Sequence, residues 1–262
     1  MNYTFCSQTH PGRARDNNED SVAFDDATGL GVLADGMGGY NAGEVASGMA
    51  TAFIKLELAK WLSDAGEQAT IREVRRALET CVDNANRAIF NASRANPQYS
   101  GMGTTLVAGV FLADQLVLGH VGDSRCYRLR GNEFLQITKD HSLLQEQIDA
   151  GLLTPEQAAN SPLRNLVTRA VGVETEVVLE INQHQVQADD IYLMCSDGLS
   201  DMMDDAAIAA VLQKRSLLTQ MADELVFQAN KNGGRDNITV LLMQAQGATA
   251  KRGLISRWLG KQ

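Results

Sequence analysis

Gly31-Val32-Leu33-Ala34-Asp35-Gly36-Met37-Gly38-Gly39 is an apolar run that ends in one carboxylate and a glycine cluster, with helix-like sequence following from Gly43. The run is short and bounded by glycine, so it reads as a buried strand that delivers Asp35 to an edge. Glycine beside a carboxylate lets the backbone approach whatever the carboxylate holds, because it lacks a Cβ and tolerates positive φ. A cation is the natural guest, although a strand ending in Asp-Gly is by itself equally a plain turn. Nucleotide motifs are excluded: a dinucleotide fingerprint needs glycine at Asn41, and a P-loop built on Gly38 and Gly43 needs lysine at Glu44. The same pattern recurs downstream, where Leu116-Val117-Leu118-Gly119-His120-Val121-Gly122 runs into Asp123 and Ile191-Tyr192-Leu193-Met194-Cys195-Ser196 runs into Asp197.

Around these runs the chain falls into blocks. Strands are expected at Tyr3 to Ser7 and Ser21 to Phe24, then helices from Gly43 to about Leu62 and from Thr70 to Arg94. The first helix places Val45, Met49, Ala52, Phe53, Leu56 and Ala59 at helical spacing, and the second Ile71, Val74, Leu78, Val82, Ala85 and Ile89. One apolar stripe each suits helices lying on a sheet. Thr104 to Leu112, Gln115 to Val121, Ser124 to Leu129 and Glu133 to Thr138 read as strands joined by tight turns, which makes them antiparallel. Small helical pieces follow from Ser142, including a capping-box start at Thr154-Pro155-Glu156-Gln157. Strands return at Glu176 to Gln183 and Asp190 to Cys195, helices at Asp205 to Gln213 and Leu217 to Asn230, and a last strand at Asn237 to Gln244. Strands and helices in blocks favour α+β.

The chain has 262 residues and no Pro/Gly/Ser-rich linker, so it reads as one domain over residues 1–246 with a basic tail at 247–262. A net charge of −9 argues against nucleic acid or an anionic membrane as main partner. Cys6, Cys81, Cys126 and Cys195 are widely spaced, and no signal or membrane-spanning run is present, so a cytoplasmic monomer is expected. The tail alternates Lys251, Arg252, Arg257 and Lys261 with Leu254, Ile255, Trp258 and Leu259, which reads as a frayed end or an amphipathic docking segment.

Asp20, Asp35, Asp123, Asp197 and Asp236 all sit at strand or turn boundaries. Carboxylates gathered at one sheet end repel and so demand cations, and oxygen ligands select hard ions such as Mg²⁺ or Mn²⁺. The histidines, His10, His120, His141 and His184, show no zinc-ligand spacing, and His120 and His141 read as structural.

Arg15-Asp16-Asn17-Asn18-Glu19-Asp20-Ser21, Asp35-Gly36-Met37-Gly38-Gly39, Gly101-Met102-Gly103-Thr104-Thr105, Gly122-Asp123-Ser124-Arg125, Asp140-His141-Ser142, Ser196-Asp197-Gly198-Leu199 and Asp236-Asn237 resemble, in order and interval, the motif set of bacterial PPM/PP2C-type protein serine/threonine phosphatases. The resemblance covers residues 3 to 245. It implies a four-layer α-β-β-α sandwich of two antiparallel sheets flanked by helix pairs, with metals in a cleft at one end and a flap insertion at about 142–172. By the same resemblance Asp35 bridges two ions, Gly36 gives its carbonyl to one, and Asp197 and Asp236 complete the other. Glu19 and Asp20 hold metal-bound waters, Asp123 serves a third ion with Asp197, and Arg15 grips the substrate phosphate.

Two Mn²⁺ or Mg²⁺ ions make a shared water a nucleophile near neutral pH, so phosphoserine or phosphothreonine is attacked directly and no phosphoenzyme forms. The implied partners are phosphorylated proteins, the products of a cognate serine/threonine kinase. Eukaryotic relatives place a histidine, a proposed general acid, where Met37 stands, and a thioether donates no proton. The alternative readings are a non-catalytic, phosphoprotein-binding regulatory relative, which ligand loss would mark, and a small-molecule phosphatase on the same fold.

Overall fold

The computed structural model describes residues 1–39, 42–154, 157–158, 161 and 166–247. The tail beyond Gly247, and Pro155 and Glu156 of the capping-box start, lie outside them, but Thr154 and Gln157 still exchange the reciprocal hydrogen bonds that such a start requires.

Eleven strands among the described residues form two antiparallel sheets. The first holds β1 (Asn2–His10), β11 (Ile238–Gln246), β10 (Ile191–Cys195), β7 (Arg125–Arg130) and β8 (Glu133–Gln136), in that order. The second runs β2 (Asp20–Asp25), β3 (Leu30–Met37), β5 (Leu106–Leu112), β6 (Gln115–Val121) and β9 (Glu180–Gln185), with the two-residue β4 (Gly103–Thr104) beside the end of β3. Helices α1 (Ala42–Ala65) and α2 (Ile71–Ala95) cover the second sheet. After the short α3 (Leu143–Asp149) and α4 (Asp197–Ser200), α5 (Asp205–Gln213) and α6 (Leu218–Lys231) cover the first.

Alternation along the central strands builds the layers. On β3, Leu30, Val32 and Ala34 face the α1/α2 side while Leu33 enters the layer between the sheets. On β11, Ile238, Val240 and Leu242 face α5/α6 while Leu241, Met243 and Ala245 face inward. Both faces are buried, which is why these strands read as unbroken apolar runs. The sheets approach closely at Gly109, where a Cβ would stand 2.7 Å from Met194 Cε. The four-layer α+β sandwich expected from the sequence is the fold observed.

Helix α2 starts as expected, with Thr70 as N-cap in a capping box with Glu73 and Val74, Leu78, Val82, Ala85 and Ile89 buried beneath it. Losing such a cap costs about 1 kcal/mol. Helix α1 corrects its expected stripe: the buried face is Ala42, Gly43, Ala46, Ser47, Ala50, Thr51, Ile54, Leu58 and Leu62, whereas Leu56 is exposed and Val45, Met49 and Phe53 are only partly covered. Small side chains face the sheet because the first turns of α1 pack directly on the backbone of β3. At Gly43, an added Cβ would lie 2.8 Å from the Gly36 carbonyl carbon.

Two further departures bear on the site. The strand expected over Thr104 to Leu112 is broken at Thr105, whose N–H and hydroxyl bond Asp35 instead of continuing the ladder. The strand expected from Glu176 starts at Glu180, because the preceding valines line a groove beside Met37.

Candidate metal centre

The strand register sets the site. Asp20, the first residue of β2, pairs directly with Asp35 of β3, so two carboxylate-bearing positions are opposite one another. A slip of one residue would turn every side chain of β2 to the other face. Asp197 opens α4 after β10, Asp236 precedes β11, and Asp123 follows β6. All five carboxylates converge: Asp35 feels the charges of Asp20, Asp197, Asp123 and Asp236, and Asp197 feels those of Asp123, Asp236 and Asp20.

The backbone around them is tied down by short polar side chains. The Asp35 N–H donates to Thr105 Oγ1 at 3.1 Å, and its carbonyl accepts from Thr105 N and Thr104 Oγ1, both at 2.8 Å. Thr105 Oγ1 in turn shares a 2.7 Å hydrogen bond with Ser124 Oγ, next to Asp123. Ser196 Oγ donates to Asp20 Oδ2 at 2.7 Å. Asn237 accepts from the Glu19 amide at 2.7 Å and donates to the carbonyls of Pro11 and Asn17, which folds the Arg15 loop over the site. Gly36 admits no side chain, since a Cβ would lie 2.1 Å from the Gly43 carbonyl oxygen. Glu19 lies alongside: its carbonyl accepts from Gly36 N, and its Oε2 would stand 2.5 Å from a Cβ at Gly43. Arg15 reaches over the edge and donates from Nη2 to Asp236 Oδ2 at 2.8 Å, with about half of its side chain exposed.

Electrostatics mark these carboxylates as a group. Burial pushes the Asp20 carboxyl up to about 6 despite the hydrogen bond from Ser196, and burial followed by the charge of Asp140 pushes Asp123 to about 6. Asp35 and Asp197 rise well above the usual carboxylate range, first from burial and then from their acidic neighbours. Among the described residues, the one salt bridge to this cluster is that of Arg15 with Asp236, and Asp20 Oδ1 is buried without a hydrogen-bond partner. Oxygen donors that repel one another and end in an orphaned, buried lone pair fit hard divalent cations.

By mutual distance a different trio stands out. His120, His141 and Glu180, scattered in sequence, offer ligand atoms within 4.8 Å of one another. His120 Nδ1 is buried without a partner, but the hydrogen bonds of His141 and the ring stacking argue against a metal there. The Gly122 amide can only donate, so His141 Nδ1, 3.1 Å away, is the acceptor, and the proton of the neutral ring sits on Nε2, 3.2 Å from Glu180 Oε2. The two imidazoles also stack at 4.4 Å with 17° between their planes, so their in-plane lone pairs lie side by side instead of converging.

The motif-bearing span matches the family model described as "Protein phosphatase 2C" over residues 9–242. The chain belongs to the protein phosphatase 2C family. It is 37% identical over 244 residues to the serine/threonine phosphatase stp of Listeria innocua, covering 90% of this chain and 94% of that one. The structure of the Mycobacterium tuberculosis serine/threonine phosphatase PstP/Ppp superimposes with a TM-score of 0.86 at 38% identity, over 94% of this chain and all of that one. A catalytic domain of PstP in complex with two manganese ions superimposes with a TM-score of 0.81 at 37% identity, over 94% of this chain and 99% of that one. As a phosphatase 2C domain, this chain carries its carboxylates at the sandwich end where β3, β10 and β11 deliver them.

Thr105, Ser124, Ser196 and Asn237 stood in the quoted motifs with no role of their own. The signal that could have found them is residue type: short hydroxyls and an amide at strand ends, where each satisfies a backbone group or a carboxylate that the ladder leaves free.

Proposed function

We propose that this protein is a protein serine/threonine phosphatase dependent on Mn²⁺ or Mg²⁺. The observation that carries the reading is the cluster of mutually repelling carboxylates with Arg15 at its rim. Asp35, the Gly36 carbonyl, Asp197 and Asp236 would hold two ions, with Glu19 and Asp20 beside them as outer acceptors. Asp123 with Asp197 would hold a third, weaker ion. When bound, the ions supply a hydroxide nucleophile at neutral pH and offset charge on the phosphoryl oxygens.

Arg15 offers a planar fork to two phosphate oxygens, which lysine lacks, and its contact with Asp236 keeps the guanidinium at the carboxylate edge. Met37 carries no transferable proton, so the leaving oxygen is protonated by another group. Beside Met37 a groove of about 280 Å³, lined by Thr168, Arg169, Val173, Glu176 and Val178, offers room for residues flanking the phosphorylated one. The substrates are phosphoproteins made by a cognate serine/threonine kinase, and the protein acts as a cytoplasmic monomer. Its cysteines are free and mostly buried, and among the described residues no helix is long and apolar enough to cross a membrane. A non-catalytic role would call for ligand loss, and Asp35, Asp123, Asp197 and Asp236 are all present.

The test is phosphate release from a phosphothreonine peptide after chelator treatment, with and without added Mn²⁺. Activity should vanish on stripping and return with the ion, and full turnover in excess chelator would overturn the reading. In the same assay Arg15→Ala should raise KM more than it lowers kcat, because the arginine binds phosphate before charge develops.

A further inference from the structure

We propose that His141 is a positioning residue that clamps the Gly122-Asp123 turn and locks it to the base of the 142–172 flap. One residue holds both peptide groups of Gly122: the His141 amide donates to the Gly122 carbonyl at 2.9 Å, and the His141 Nδ1 lone pair accepts from the Gly122 amide at 3.1 Å. Gly122 needs such a hold. Its φ is +103°, a region that disfavours side chains, and a Cβ there would fall 2.7 Å from Thr105. Without the clamp the turn that aims Asp123 would hang between the paired strand ends at Val121 and Arg125, with the Ser124–Thr105 hydroxyl contact as a side-chain tie inside it.

The other side of His141 faces the flap. Its carbonyl accepts from Thr168 N at 2.8 Å, and the next residues continue the contact, with Leu143 N donating to the Leu166 carbonyl at 2.9 Å. Two residues beyond Arg169, Val171 exchange hydrogen bonds of 3.0 and 2.8 Å with Thr104, the residue whose hydroxyl donates to the Asp35 carbonyl. The returning arm of the flap is therefore fastened at two points, each one residue's reach from a turn or strand carrying a cluster carboxylate. The ring stacks on His120, whose Nε2 donates to the Lys139 carbonyl at 2.7 Å, and its Nε2 faces Glu180 Oε2 at 3.2 Å with Arg169 Nη1 at 3.5 Å. The Gly122 amide can only donate, so it selects the tautomer whose proton sits on Nε2, toward the Glu180 carboxylate, and leaves the longer Arg169 approach as a charge contact.

The consequence is mechanical. Flap base and Asp123 turn move as one body, so a substrate seated against Thr168 and Arg169 bears on the same residue that sets Asp123. The inference on turnover rests on the assignment of Asp123 to an ion, and the inference on the clamp does not.

Two substitutions dissect the ring. Asn places an amide oxygen where Nδ1 stands, and Gln places a polar atom where Nε2 stands. His141→Asn should keep the Gly122 amide slow to exchange with solvent in the metal-free protein, and kcat for a phosphothreonine peptide within about threefold of the parent. His141→Gln should speed exchange at Gly122 about tenfold, the loss of one hydrogen bond, and lower kcat by a similar factor with KM nearly unchanged. Calorimetric titration of Mn²⁺ into His141→Gln should weaken the low-affinity site and spare the tight ones, with Asp123→Asn as the reference for loss of that site. If His141→Gln fails to fold, His141→Ala with and without added imidazole carries the same comparison, rescue being the expected result. Equal exchange at Gly122 in the Asn and Gln variants would overturn the clamp. A clamp that fails in His141→Gln while Asp123→Asn changes no Mn²⁺ site would instead sink the role given to Asp123.

Discussion

Two buried carboxylate sites in this protein have opposite characters. Asp190, 1% exposed beside β10, is met by Arg130, which donates from Nε to Oδ1 at 2.9 Å and from Nη2 to Oδ2 at 2.6 Å, and the Gln187 amide adds a third donor. The cluster of Asp20, Asp35, Asp123 and Asp197 keeps more exposed surface and finds the Ser196 hydroxyl but no cation of the chain at Asp20, while its members repel one another. A structural carboxylate brings its own cation from the chain. A carboxylate kept for chemistry is left to recruit one, and the fold carries the resulting strain.

The largest effect that tests this contrast is on turnover. Asp35→Asn should abolish phosphopeptide hydrolysis, by about a thousandfold or more, while leaving the metal-free protein at least as stable as the parent because a buried charge has been removed. Steady-state kinetics and chelated melts on the one variant check both halves, and a lower metal-free Tm would show that Asp35 is structural after all. Asp190→Asn should do the reverse. It strands Arg130, whose side chain is only 24% exposed, and should cost about 3 kcal/mol of stability with little change in Mn²⁺ affinity, read from denaturant unfolding and calorimetry.

The pH dependence gives an intermediate effect with a definite sign. Carboxyls of Asp20 and Asp123 titrate near 6 in the folded metal-free protein against about 4 in the unfolded chain. Between those values the folded state holds protons that the unfolded state has lost, so these groups make stability fall as pH rises, and Asp35 and Asp197 extend the loss upward. Glu180 and Asp149 shift the other way, so the clean quantity is the Tm gain on adding Mn²⁺, which should grow from pH 4 to beyond pH 6. A gain independent of pH would break the contrast. The smallest effect is that of Ser196→Ala, which removes the hydroxyl bond to Asp20 and should weaken Mn²⁺ binding by about 1 kcal/mol, roughly fivefold, in a calorimetric titration.

The line between what sequence and fold each supplied runs through particular residues. The stripe of α2 was legible because Val74, Leu78, Val82 and Ile89 are large, apolar and flanked by charge, so periodicity alone phases the helix. The stripe of α1 was misphased because its sheet-facing residues are Ala, Gly and Ser, which hydropathy does not separate from a partly exposed flank of Val, Met and Phe. At the site, Asp35, Asp123 and Asp197 stood out because an apolar run ends at each, and the recurrence of that pattern sets them apart from a plain turn, whereas Asp20 and Asp236 stood out as carboxylates at strand and turn boundaries. The hydroxyl and amide supports were not, since a Thr or Asn at a strand end has many local uses and its partner lies up to 226 residues away, as Asn237 does from Pro11.

By itself the sequence determined the alternation of buried strands and amphipathic helices, the antiparallel pairing forced by tight turns, and the residue types able to hold a hard cation. Those follow from local sterics and from chemistry that each side chain carries wherever it sits. Only the tertiary structure decided which groups meet: Asp20 opposite Asp35 by register, His141 on Gly122, His120 and Glu180 beside it, and Arg130 on Asp190. The physical reason is that proximity between distant residues is set by the packing of whole sheets, and the same carboxylate becomes a paired strut or an unpaired ligand according to what that packing places beside it.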